Sequence, residues 1–166
     1  MSPADIDRYL TEIVNTMNDG LLLVSPAGTI VMVNPALERL TGYAREEMVG
    51  RSCAMLRCDA CRLARSQGKG QWCELFETRR ETRKKCGLVR KDGGYLPVLK
   101  NASLLMDGNT PLGAVETITD ITELDRRDRR IEELSRRLHA DEGFHGLVGR
   151  SPAMRPKIAA HTGSPA

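Results

Sequence analysis

Three glycine turns do most to limit the folds open to this chain. Pro26-Ala27-Gly28, Lys91-Asp92-Gly93-Gly94 and Asp107-Gly108-Asn109 each separate two short runs rich in aliphatic and β-branched residues. Such turns let the backbone reverse within a few residues, so each predicts an antiparallel hairpin. The strands predicted are Leu21–Ser25 and Thr29–Val33, then Thr82–Arg90, Tyr95–Met106 and Leu112–Ile121. Around them the apolar period changes to that of a helix. Ile6, Leu10, Ile13, Val14 and Met17 predict an amphipathic helix within residues 1–18. Asn34 suits a helix cap and Pro35 the first helical position, with Ala36, Leu37 and Leu40 as the buried side. Ala44–Val49 is a further short helix, and residues 51–73 show no dominant period. The expected architecture is α+β: a small antiparallel sheet with short helices on one face, plus amphipathic helices at both ends.

The texture changes after Thr122. Leu124, Ile131 and Leu138 recur every seven residues in a highly charged run, with Leu134 between the last two. That is a narrow seam of coiled-coil type over 123–142, too short to stand alone in water. It predicts a homodimer through the N-terminal helix and the 123–140 helix. The arginines at 126–130 are then solvated flanks of that coil.

Charge and hydropathy exclude several functions. The chain has 25 Lys and Arg against 22 Asp and Glu in 166 residues, a net charge of +3. With the two signs interleaved, direct nucleic-acid binding is not expected. Apolar runs such as Leu21–Val24 are far too short for a membrane span, and the N-terminus lacks the pattern of a signal peptide. A cytoplasmic protein is expected. No Ser/His/Asp set, phosphate loop or paired catalytic carboxylates appear, so no enzyme is expected either. Glu116 and Asp120, four apart on one strand, read as a surface feature.

Five cysteines, Cys53, Cys58, Cys61, Cys73 and Cys86, are the only ones in the chain. In a reducing compartment an odd number of clustered thiols favours metal ligation or redox sensing over a disulfide framework. Cys53-x4-Cys58-x2-Cys61 plus a distant cysteine reproduces the ligand spacing of plant-type 2Fe–2S ferredoxins, and Cys58-x2-Cys61 also fits zinc. All five are candidate metal ligands, for an iron–sulfur cluster or Zn, and spacing does not decide which four would ligate. Free thiols and a reversible disulfide remain open as well. Arg51, Arg57, Arg62 and Arg65 surround the segment, a field expected to favour thiolates. Trp72 and Phe76 near Cys73 read mainly as core, while Lys100 and Asn101 either point into a ligand cavity or lie on the wet face of a sheet, the more routine place for polar residues. His139, His145 and His161 lie beyond the sheet and offer no haem site.

Several stretches in this order resemble the PAS sensory domain family. They are Asn18-Asp-Gly-Leu-Leu-Leu-Val24, Asn34-Pro35-Ala36, Thr41-Gly42-Tyr43, Glu46-Glu47-Met48-Val49-Gly50-Arg51, Lys91-Asp92-Gly93 and Asp120-Ile121-Thr122. The resemblance implies a PAS domain over 19–122, with its cysteine-rich segment at 53–86, and a signalling helix launched from Asp120-Ile121-Thr122. Gly50-Arg51-Ser52-Cys53 is similar to the cysteine motif of flavin-binding photoreceptors, but Ala54-Met55-Leu56-Arg57 departs from it, so flavin is not expected. Phe144–Met154 resembles the opening of the AAA+ ATPase domain of bacterial sigma-54-dependent transcription activators. The Gly-x-x-x-x-Gly-Lys-Ser/Thr loop of that domain does not follow before Ala166, so this chain is expected to have no ATP site. Residues 143–166 are then the truncated start of an output domain, ending as a loose tail. The implied role is sensory: an input module reading redox state or metal at its cysteines and signalling through the coil to an AAA+ output domain; the alternative is a PAS dimerisation module with structural zinc or free cysteines and no sensing chemistry.

Overall fold

The computed structural model describes residues 3–66 and 73–148. They fall into two units, one ending at Asp125 and one starting at Arg126. The first opens with α1 (Pro3–Thr16), then β1 (Gly20–Val24) and β2 (Ile30–Val33). Next come α2 (Pro35–Thr41), α3 (Arg45–Met48), a 3-10 turn (Cys53–Leu56), α4 (Asp59–Ser66) and α5 (Glu74–Thr78). The unit is completed by β3 (Thr82–Val89), β4 (Tyr95–Asp107) and β5 (Thr110–Asp120), after which α6 (Thr122–Val148) begins. The predicted strands agree with these bounds to within about two residues, the usual fraying of element ends. The 3-10 turn and α4 lie in the segment where the sequence showed no period, and α5 directly follows it.

All strand pairs are antiparallel and the order across the sheet is β2-β1-β5-β4-β3. This order decides where the cysteines go. β2 and β3 are consecutive strands at opposite edges, so the chain between them must travel across one face of the sheet. That crossing carries the 3-10 turn, α4 and α5. Period-two alternation turns Leu22 and Val24, Cys86 and Leu88, Leu96 and Val98, and Ile118 toward it. With Leu37, Met48, Leu56 and Cys58 from the crossing, they form the main core. Leu75, Ala102 and Ala114 form a smaller cluster against which Cys73, Phe76 and Leu104 pack.

Asn34 is fully buried and does far more than cap α2. Its Oδ1 accepts from Leu37 N at 3.0 Å, the expected cap, and also from Leu21 N at 2.8 Å. Its amide donates to Asp19 O at 3.0 Å and to Val14 O at 3.1 Å. One side chain therefore ties the end of α1, the start of β1 and the start of α2 together.

The edges of the sheet are blunted. β2 has only four residues. β3 presents Arg83, Lys84 and Lys85 in succession, all exposed. α1 leaves Ile6, Tyr9, Leu10 and Ile13 exposed. In the second unit, α6 leaves Ile131, Leu134 and Leu138 exposed, each at 49% or more, while Glu132–Arg136 and Glu133–Arg137 pair one turn apart. α6 runs past the expected end at 142, so residues 143–148 are helical. The rest of the segment read as the start of an output domain, 149–166 with His161, lies outside the described residues, as does Trp72. No helix among the described residues is long and apolar enough to cross a membrane.

Asn34→Ala should lower the unfolding free energy by about 2–3 kcal/mol, one cap plus an orphaned buried amide. Urea unfolding of the purified chain measures this, and a loss under about 1 kcal/mol would show that the junction holds without it.

Candidate metal centre

Four of the five thiols converge on one small cavity. Cys53, Cys58, Cys61 and Cys73 line it from the crossing, together with Leu56; Leu88, Lys100, Glu116 and Ile118 line it from the sheet. The volume open to the centre of a water molecule is about 20 Å³, room for one water or a few bonded atoms. Local backbone geometry aims the sulfurs. Arg57 ends the 3-10 turn in the left-handed region at φ 50°, which costs a non-glycine residue about 1 kcal/mol. The reversal falls between Cys53 and Cys58, which line the same cavity. Cys58 and Cys61 then straddle the first turn of α4, where Arg62 N bonds to Cys58 O at 3.0 Å.

Cys86 reaches the group from another side. It lies on β3 opposite Val98, and its sulfur, the Cys58 sulfur and an Asp59 carboxylate oxygen lie within 4.8 Å of one another. Asp59 was not legible as a site residue. Its Oδ1 accepts from Ala60 N at 2.6 Å and Gly87 N at 3.0 Å, pinning the start of α4 to β3.

The charge in the cavity is not where the sequence placed it. Arg51, Arg57 and Arg62 are exposed, and the side chain of Arg65 lies outside the described ones. The cation facing the thiols is Lys100, 8% exposed, with Nζ 3.3 Å from Cys61 Sγ and 3.3 Å from Glu116 Oε2. Glu116 is 7% exposed, so the reading of it as a surface feature is corrected. Of the two readings of Lys100, the wet face is corrected and the cavity is where it lies. Alternation puts both on the inner face, diagonal across β4 and β5, because Lys100 faces Ile118 and Ala102 faces Glu116. Asn101 does lie on the outer face, bonded to Thr117 at 3.2 Å.

The four thiols that line the cavity are all shifted toward the protonated form. Burial, then the Glu116 carboxylate and the Cys61 thiol, pushes Cys53 up to about 12. The hydrogen bond with Cys58, then burial, pushes Cys61 up. Burial raises Cys73 against the Leu75 backbone N–H that its sulfur accepts. Cys58 is pulled down by Cys61, but Cys86 and burial outweigh that and the net shift is upward. Cys86 goes down because the Cys58 thiol donates to it. For Lys100, burial alone would favour the neutral amine; the Glu116 carboxylate and the sulfurs of Cys61 and Cys58 reverse this and hold the ammonium. Without a metal the cavity thus holds an ammonium, a carboxylate and thiols, and a metal would displace the thiol protons.

The fold and these contacts frame the comparisons. A family model described as PAS domain matches residues 18–123. The chain belongs to the PAS domain family. Among solved structures, this PAS domain is similar to an RNA-binding Light-Oxygen-Voltage receptor, with TM-score 0.68 and 23% identity over 86% of this chain and 40% of that one. It therefore spans well under half of that receptor. It is also similar to a PAS domain from Colwellia psychrerythraea, with TM-score 0.62 and 20% identity over 72% of this chain and 99% of the other. A domain of a sensory box sensor histidine kinase/response regulator from Geobacter sulfurreducens gives TM-score 0.58 and 20% identity over 72% and 97%. At these identities the likeness carries the fold alone. No curated protein matches the sequence.

Lys100→Met strands the Glu116 carboxylate in the core and should cost about 3–5 kcal/mol, whereas Lys100→Met with Glu116→Leu should return to within about 1–2 kcal/mol of the parent. Denaturant unfolding of the metal-free chains checks both, and equal losses from the single and double substitutions would contradict the pairing.

Proposed function

We propose that this PAS domain is the input module of a bacterial sigma-54-dependent transcription regulator, reading redox state or metal supply through its cysteine cluster. The observation that carries the reading is the convergence of Cys53, Cys58, Cys61 and Cys73, drawn from separate elements, on one cavity beside a buried ammonium. Packing alone does not call for four thiols and an ion pair in one place. Such a site responds when an oxidant or a metal changes the charge on sulfur. The cavity, about 20 Å³ and bordered by the Lys100–Glu116 pair, has no room for a tricyclic flavin ring.

The output path follows β5. Glu116 in the site and Asp120 at the strand end are four residues apart, roughly 13 Å of extended chain. Asp120 Oδ1 accepts from Thr122 N at 2.8 Å and Thr122 Oγ1 at 2.5 Å, while Ile121 N bonds to Pro97 O at 3.1 Å. A change of charge at the thiols alters the partner available to Lys100, hence the grip on Glu116 and the strand that starts α6. The partner is a second copy of this chain, joined through the exposed apolar stripes of α1 and α6. The AAA+ output domain is inferred from the resemblance at 144–154. A simpler reading, a dimerisation module with structural zinc, is favoured by the closeness of Cys58, Asp59 and Cys86.

The test is to prepare the full chain with and without oxygen and to compare its visible absorbance, iron and zinc content and sedimentation. The sensor reading expects metal or colour that depends on oxygen, and a dimer that Ile131→Asp with Leu138→Asp converts to monomer. Equal zinc in both preparations, with a dimer indifferent to oxidant, would support the simpler module instead.

A further inference from the structure

Five thiols are more than one centre needs, and the structure sorts them. Resting on the metal-sensing reading above, we propose that Cys53, Cys58, Cys61 and Cys73 are the four ligands of an iron–sulfur centre, and that Cys86 is the hydrogen-bond partner of Cys58 rather than a ligand.

The sorting begins with the cavity wall. The four proposed ligands all line it and Cys86 does not. Cys86 lies on β3 beside Cys58 and is bonded to it, so it reaches the cavity only through that sulfur. The size of the opening then separates a cluster from a single ion. A cavity that admits the centre of a water keeps that point roughly 3.2 Å from any sulfur, while a metal–thiolate bond is about 2.3 Å. One ion in the middle would fall short of all four sulfurs where they stand. An iron–sulfur core would place several metal and sulfide atoms between the cysteines and so span a wider gap than one ion.

Donors to sulfur point the same way. The backbone N–H of Cys61 bonds to the Cys58 sulfur, the backbone N–H of Leu75 to the Cys73 sulfur, and Lys100 Nζ to the Cys61 sulfur. Such bonds stabilise ligating sulfur and set the potential of an iron–sulfur centre. Leu56, Leu88 and Ile118 supply apolar wall on both sides of the opening. The competing single-ion group is less well made. It offers three donors, and Asp59 already spends one carboxylate oxygen on Ala60 N and Gly87 N, as a helix-to-strand tie.

Binding releases protons, since each ligating thiol enters the complex as thiolate and its proton leaves to water. Once Cys58 is a ligand it no longer donates, and the Cys86 S–H becomes the donor toward it. Loss of a donor to a ligating sulfur lowers the reduction potential.

The experiment uses the full chain, purified without oxygen and reconstituted with iron and sulfide, alongside single alanine and serine variants of each cysteine and Asp59→Asn. Circular dichroism confirms folding, with the near-isosteric serine variants serving wherever alanine does not fold. Variants at positions 53, 58, 61 and 73 should each lose about tenfold or more of the bound iron and acid-labile sulfide. Cys86→Ala should keep both within about twofold while its reduction potential moves lower. Loss at Cys86 and Asp59 equal to that at Cys58, with Cys53 and Cys73 indifferent, would overturn the ligand assignment and leave a single-ion sensor. Zinc bound without sulfide would do the same. A parent chain that takes up no metal at all would overturn the metal reading itself along with the assignment.

Discussion

A lysine ammonium inside a protein core has to be answered by other charge, and much of this domain is arranged around that requirement. Lys100 lies on the interior strand β4 with its ammonium between the Glu116 carboxylate and the Cys61 sulfur. Taking both ions of such a pair out of water costs several kcal/mol each, so an apolar pair of the same shape would serve stability at least as well. Stability therefore does not explain its place here. On the sensing role proposed above, a fixed positive charge beside four ionisable sulfurs does, because it sets how much negative charge the cavity can hold. Glu116 anchors the cation while the thiols remain neutral, and it shares β5 with the residue that starts the exit helix.

Topology makes the arrangement possible. With β2 and β3 at opposite edges, the crossing segment must lie over the centre of the sheet, and it brings its thiols there. The two halves of the site then rest on different supports. Lys100 and Glu116 stand on long, paired central strands, while the sulfurs stand on a 3-10 turn and short helices. The sulfurs thus sit on the less extensively paired elements, directly above the ion pair carried by β4 and β5.

Much of this was readable in advance. The glycine turns and the period-two runs located the strands, because a hairpin is a local structure written in consecutive residues. Asn34-Pro35 located α2 for the same reason. The 3-10 turn, α4 and α5 escaped notice, since helices of one or two turns show too few repeats of an apolar period, and α4 begins at an acidic residue flanked by cysteines. The thiols announced themselves by clustering, but their charge environment did not. Lys100 and Glu116 looked like polar positions on a half-wet sheet, and only the pairing of β4 with β5 shows them as diagonal neighbours on the covered face. Arg51, Arg57 and Arg62 misled in the opposite sense: near in sequence to the cysteines, they end at the surface, where water screens them. Asn34 was read as a cap alone because its bonds to Val14 and Asp19 join segments that are far apart along the chain.

The basic triplet on β3 has an effect on assembly. A bare strand edge is a template on which a second molecule can extend the sheet, and uncontrolled growth of that kind ends in aggregates. Two copies meeting side by side along β3 would bring Arg83, Lys84 and Lys85 against the same three cations. Mutual repulsion closes that route, and the four-residue edge at β2 offers little purchase on the opposite flank. Both flanks of the sheet are therefore poor templates for its own extension.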